Sequence, residues 1–112
     1  DVIQHSVWGY KINEKKFRTA DDVCAMIVKS AAKDSNLLMN IGPDGSGQLP
    51  AKAVEVMGEV GKWMAKNGES IYGTRGAGIV KNADGSLVAK TRKGDKVYAF
   101  TIRAGEYPVL AE

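Results

Sequence analysis

A chain of 112 residues holds one domain of ordinary size and no more. Lys and Arg total 16 against 13 Asp and Glu, and 44% apolar with 26% charged residues is a normal globular mix, which argues against wholesale disorder. No apolar run approaches the ~20 residues that span a bilayer, so no membrane partner is expected. One cysteine, Cys24, and one histidine, His5, leave no disulfide framework and no metal-ligand cluster. An α/β or α+β chain with no metal and no cofactor remains.

The excess of positive charge is spread among acids along the chain. Only Lys90, Arg92, Lys93 and Lys96 are dense, and they surround a predicted hairpin turn. A nucleic-acid footprint clusters its basic residues on one face with stacking aromatics, so the patch reads as a solvated turn and no nucleic-acid partner is expected.

Asp1 to Arg18 is mixed in pattern, with Val7-Trp8-Gly9-Tyr10 its most apolar part. A helix is expected from Thr19, where Thr19 and Asp22 resemble a capping box and Asp21 and Asp22 suit the positive end of the dipole. Val23, Met26, Ile27 and Ala31 recur at helical spacing, and the helix should end near Lys33.

Asn36-Leu37-Leu38-Met39-Asn40-Ile41, closed by Gly42-Pro43, is apolar without alternation. It reads as a strand buried on both faces, as in a parallel sheet covered by helices. Asp44-Gly45-Ser46-Gly47 is a loop, and Pro50 opens a second helix. Val56, Met57, Val60, Trp63 and Met64 form its apolar stripe, and Asn67-Gly68 signals its end with glycine in the left-handed conformation. Gly58 and Gly61 inside that helix each cost about 1 kcal/mol relative to Ala, which predicts close packing against another element.

From Glu69 onward the pattern turns to antiparallel β structure. Ser70-Ile71-Tyr72 reads as a short extended piece, and Asn82-Ala83-Asp84-Gly85 as a turn. Leu87–Thr91 and Lys96–Arg103 flank the loop Lys93-Gly94-Asp95 as a hairpin, with Tyr98, Phe100 and Ile102 on one face.

No residue group in this pattern compels a chemistry. Asp44-Gly45-Ser46-Gly47 lacks the Lys-Ser/Thr ending of a phosphate loop and the spacing of a dinucleotide fingerprint, so it is a plain turn. Asp34 with Asp44, and Glu55 with Glu59, are weak carboxylate pairs; the second lies one turn apart on a solvent face. Asp1, His5 and Ser6 share a segment, but nothing orients them as a triad. Cys24 borders the first helix's stripe and belongs to the core. Trp8 has two readings on residues alone, a platform for the C–H face of a sugar ring or core packing.

The ordered series Trp8-Gly9-Tyr10, Asn36-Leu-Leu-Met-Asn-Ile-Gly-Pro43, Val60-Gly-Lys-Trp63 and Asn67-Gly-Glu-Ser-Ile-Tyr-Gly-Thr74 resembles the α-L-fucosidases of glycoside hydrolase family 29. Ser6 stands two residues before the Trp-Gly-Tyr segment, as is common in the family. Arg92-Lys-Gly-Asp-Lys-Val-Tyr98 is similar to the start of the family's C-terminal β-sandwich. The resemblance covers roughly residues 6 to 103, with Ser35 in place of the usual Gly and Met39 in place of Leu.

The resemblance implies an α/β fold: a partial (β/α) barrel, its last βα units, followed by antiparallel β strands. Residues 1–68 would be the barrel segment and 69–112 the start of the sandwich. A whole barrel takes ~250 residues. The family's nucleophile and acid/base carboxylate belong to segments with no matching position here, so no catalytic residue is expected in this chain, and turnover by it alone is not. The substrate-binding residues carried over are Trp8, which lines the fucose pocket in the family, and its neighbour Tyr10. A fucosylated glycan is the ligand implied. The alternative is a non-catalytic oligomeric or carbohydrate-binding scaffold derived from the barrel, and a homo-oligomer is expected because a barrel slice leaves strand edges and apolar faces open.

Overall fold

The structure, a computed structural model, describes Ile3 and residues 16–111. Helix α1 spans Ala20–Ala32, with Thr19 as its N-cap: the extended Thr19 backbone turns its hydroxyl to accept the Asp22 amide at 3.4 Å. Its buried residues are Ala20, Val23, Cys24, Val28 and Ala32. The core stripe is therefore rotated from the expected one, leaving Met26, Ile27 and Ala31 half-buried.

Helix α2 spans Ala51–Asn67 behind Pro50 and buries Ala53, Val56, Val60 and Trp63, with Met57 and Met64 partly covered. Gly58 and Gly61 do not fulfil the expectation of close packing. Both are exposed, and a Cβ at either would meet nothing within 4 Å. The helix end differs too. Gly68 keeps right-handed angles (φ −58, ψ −28) and leads into a 3₁₀ turn, Gly68–Ser70, so Ser70–Tyr72 is not extended. Its lack of a side chain serves another purpose: a Cβ there would lie 2.7 Å from the Tyr72 ring.

Four strands follow, β1 (Arg75–Lys81), β2 (Leu87–Lys93), β3 (Lys96–Ile102) and β4 (Val109–Leu110), in the antiparallel order β1-β2-β3-β4. The β2–β3 hairpin is as expected, with Lys93 paired to Lys96 and Gly94 at φ +62 in the first loop position. Phe100 and Ile102 are buried and Tyr98 half-buried, on the face expected. Strand β1 carries a bulge between Gly76 and Ile79.

The sheet and helices share one core. The Phe100 and Trp63 rings stand 5.7 Å apart, tilted by 39°, and the cluster includes Val23, Val28, Val56, Val60, Ala89 and Ile102. Thr91, buried in β2, satisfies its hydroxyl by donating to the Ser70 carbonyl at 2.6 Å.

The segment Asn36–Ile41 departs from the expected strand. Among the described residues it holds a single bridge, at Asn40, whose carbonyl accepts from the Ile3 amide at 3.0 Å. Burial alternates instead of covering both faces: Met39 and Ile41 pack on the core, whereas Leu38 is 82% exposed. A strand becomes buried on both faces only when layers cover both. Here the helices and the sheet supply one. The described residues thus form two helices and an antiparallel four-stranded sheet; a parallel barrel sheet is not among their elements.

Candidate functional site

Trp8 and Tyr10, the substrate-binding residues expected from the sequence, lie outside the described residues, as do His5 and Ser6. What the structure does define is the end of the fold to which they connect. Segment 36–41 begins just after the end of α1 and leads toward the start of α2. Ile3 ties this end together, donating its amide to the Asn40 carbonyl and accepting the Arg18 amide at 2.8 Å. Arg18, Asn40 and the loop that precedes α2 therefore gather near the N-termini of both helices.

The loop is ordered by Asp44. Its Oδ1 accepts from the Ser46 amide (2.9 Å), the Ser46 hydroxyl (2.6 Å) and the Gln48 amide (3.0 Å). These donors, the Ser46 hydroxyl first, hold the carboxyl below its ordinary value. The same Asp-Gly-Ser arrangement recurs in the β1–β2 turn, where Asp84 Oδ1 accepts from the Ser86 hydroxyl and amide and is likewise held low. A general acid needs the opposite shift. Asp44 is a turn-forming residue, as expected.

Between the start of α1 and the first turns of α2, a cleft of about 320 Å³ is lined by Phe17 and Asp21, by Glu55 and Glu59 of α2, and by Tyr107. Tyr107 lies on the β3–β4 connection, which is pinned to α2 twice. The Tyr107 hydroxyl donates to Glu59 Oε2 at 3.2 Å, and the Trp63 indole N–H donates to the Pro108 carbonyl at 3.4 Å. Loss of solvent, then the Glu59 carboxylate, push the Tyr107 phenol up. Glu55 is ion-paired with Lys52 at 3.5 Å on the surface. The Glu55–Glu59 pair is thus divided between separate partners. Asp34 follows the end of α1, and its Oδ1 accepts the Gly76 amide, so it is not paired with Asp44. Phe17 and Tyr107 were not singled out in the sequence, because nothing local signals that residue 107 folds back onto residue 59.

Cys24 is fully buried, and burial first, then the Asp21 carboxylate, push its thiol up to about 12. It is a core residue and not a nucleophile at neutral pH. Among the described residues no group of three or more His, Cys, Asp or Glu could hold a metal ion. No helix among them is long and apolar enough to cross a membrane.

Comparison with known proteins bears on this end of the fold. A family model described as Alpha-L-fucosidase matches residues 1–69. The alpha-L-fucosidase of Branchiostoma floridae is 30% identical over 103 residues, covering 90% of this chain and 23% of that protein. Alpha-L-fucosidase isoenzyme 1 from Paenibacillus thiaminolyticus is 36% identical with a TM-score of 0.80, over 93% of this chain and 24% of that one. The Thermotoga maritima alpha-fucosidase solved in complex with fucose is 32% identical with a TM-score of 0.82, over 95% and 26%. The chain spans about a quarter of the length of the relatives it matches.

Proposed function

We propose that this chain, which belongs to the alpha-L-fucosidase family, closes a (β/α) barrel with its last βα units over residues 1–68 and opens the adjoining β-sandwich over residues 69–112. The family match over residues 1–69 carries the reading. On it, segment 36–41 is a barrel strand: Met39 and Ile41 pack outward on the helical layer, and exposed Leu38 faces the barrel interior. The helix N-termini and the Asp44 loop then lie at the face where barrel enzymes bind substrate.

The role assigned is substrate contact, not bond cleavage. Retaining hydrolysis of a terminal α-L-fucoside needs two carboxyl groups ~5–5.5 Å apart, one as nucleophile and one as acid/base. No position of this chain matches the family's motif for either. Asp44 and Asp84, each tied into its own turn, are unsuited to the acid role. Trp8, with Tyr10 beside it, supplies an aromatic wall against the apolar face of a fucose ring on a fucosylated glycan. The 112-residue chain alone does not turn over fucosides.

An aryl α-L-fucoside assay on pure chain, paired with a fucose titration of the parent and Trp8→Ala, tests this. The expected result is no turnover, with saturable fucose binding that Trp8→Ala abolishes. Turnover lost on changing an acidic residue of this chain overturns the non-catalytic role. Binding unchanged in a folded Trp8→Ala variant overturns the Trp8 assignment. Absence of fucose binding by the parent chain overturns the substrate-contact role and leaves a structural one.

A further inference from the structure

The sheet has one face on the helices and one face bare. Ala89, Thr91 and Phe100 are buried on the helical side, so the residues one step along each strand turn outward. The pairings Val80–Val88, Val88–Thr101 and Thr101–Val109 set these four β-branched residues in one row across all four strands. Toward the β2–β3 hairpin the same face carries Arg75 opposite Arg92, and Val97 opposite Arg92. Val80, Val97 and Val109 are the exposed large hydrophobic side chains of β1–β4, and all three lie on this face.

Charge divides this face along the strands. Its hairpin end holds Lys90, Arg75 and Arg92, and no acidic residue of β1–β4 faces outward. Like charges placed opposite one another destabilise a sheet, and neither guanidinium has an acidic partner among the described residues. Acids stand at the other end. Arg92 follows Val88 by four residues, ~13 Å along the strand at ~3.3 Å per residue. Asp84 precedes Val88 by the same number, in the exposed β1–β2 turn, where its surface ion pair with Arg103 measures 3.8 Å. Glu106, exposed on the β3–β4 connection, lies at that end too.

We propose that the bare face docks a second copy of this chain, sheet on sheet, about a twofold axis along the Val80–Val88–Thr101–Val109 row. Each row then meets its own copy, and the outward valines leave water together. The twofold turns the strands end for end, so the two cationic ends point apart. The Arg75–Arg92 pair of one copy comes over the Asp84 turn of the other, which relieves the like charges. Long arginine side chains span the offset set by the ~30° crossing of packed sheets. Four strands ~4.8 Å apart and seven residues long give a footprint on the order of 400 Å² per copy. That is about half of the ~800 Å² per partner in a standard complex, so the dimer is reversible, with a Kd in the micromolar range. The second copy stands where a β-sandwich has its second sheet. Neither Trp8 nor the Asp44 loop takes part, so failure of this dimer leaves the substrate-contact reading untouched.

Sedimentation equilibrium of the 112-residue chain and two variants tests this, with circular dichroism to confirm the fold. The parent should fit a monomer–dimer equilibrium that closes at two copies, as a twofold interface requires. Val80→Lys with Val109→Lys, both at exposed positions, should weaken it by ~10-fold or more, because each row would then oppose like charges. Arg92→Glu should do the same, since it sets an acid over the partner's Asp84 at two symmetric places. A residue on the axis meets its own copy. In a Cys24→Ala background, Thr101→Cys should therefore link into a covalent dimer with a short bis-maleimide, and Lys62→Cys on α2 should not. A monomer across the micromolar range overturns the proposal, as does open-ended assembly beyond two copies. So does undiminished dimerisation by either folded variant, or equal cross-linking at positions 62 and 101.

Discussion

Asp34 and Gly76, 42 residues apart, lock the end of α1 against the first strand: Asp34 Oδ1 accepts the Gly76 amide at 2.8 Å. Asp34 holds a left-handed backbone angle (φ 53) to reach it. Gly76 must lack a side chain, because a Cβ there would press into the Ala32 carbonyl and lie 2.8 Å from the Asp34 nitrogen. The lost strand alternation at Gly76 is the condition for this helix–strand approach.

Gly76→Ala is therefore expected to destabilise the chain by about 2–3 kcal/mol, since backbone and not a flexible side chain must move. Asp34→Ala should cost roughly 1–2 kcal/mol through the lost hydrogen bond and the left-handed angle, and Asp34→Gly less, because glycine adopts that angle freely. Urea unfolding of the three variants measures the order. A neutral Gly76→Ala would contradict the close approach.

Thr91→Val should destabilise by about 1–3 kcal/mol, because it removes the donor that the Ser70 carbonyl meets in the core. Thr91→Ser keeps the hydroxyl and should recover part of that loss. Equal unfolding midpoints for the valine and serine variants would contradict the role given to the hydroxyl.

Cys24 should resist alkylation by iodoacetamide at pH 8 in the folded chain and react readily in urea. Its thiol is raised from 9.0 to about 12 in the fold, so the folded state holds the proton more tightly. That contribution to stability is fully present below pH 9 and is lost as pH rises toward 12. Cys24→Ala should remove this part of the alkaline decline, measured by urea midpoints between pH 8 and 11.

Asp44 and Asp84 give the opposite sign. Both carboxyls are held below the ordinary 3.8 by Ser46 and Ser86. Their contribution is present above that value and disappears as pH falls through the lower folded values. Asp44→Asn with Asp84→Asn should flatten the acid limb of the stability curve below pH ~4. An unchanged acid limb would mean that the turns hold without the charge.

The isolated chain should self-associate. Leu38, Val97 and Val109 are 82%, 63% and 58% exposed, and β1 and β4 are the outer strands of the sheet. Sedimentation equilibrium should return a mass well above the 12.0 kDa of one chain at micromolar concentration. A monomer would mean that these groups tolerate water without a partner.

Local pattern determined much of this protein. Thr19 as the cap of α1, Pro50 before α2, the Val56–Val60–Trp63 stripe and the Gly94 hairpin all follow from interactions within a few residues, which leave their signature in residue spacing. The ordered motifs also identified the family. Tertiary structure decided what depends on distant partners. Segment 36–41 reads as a doubly buried strand, yet burial requires a layer on each side, and Leu38 faces solvent in this fold. Gly68 reads as a left-handed cap, but the Tyr72 ring claims the space beside it. Strand β1 escaped notice because Gly76 and Gly78 interrupt its alternation, and the reason for Gly76 lies at the far end of α1. The Glu59–Tyr107 contact likewise joins residues whose proximity arises only when helices and sheet pack on a common core.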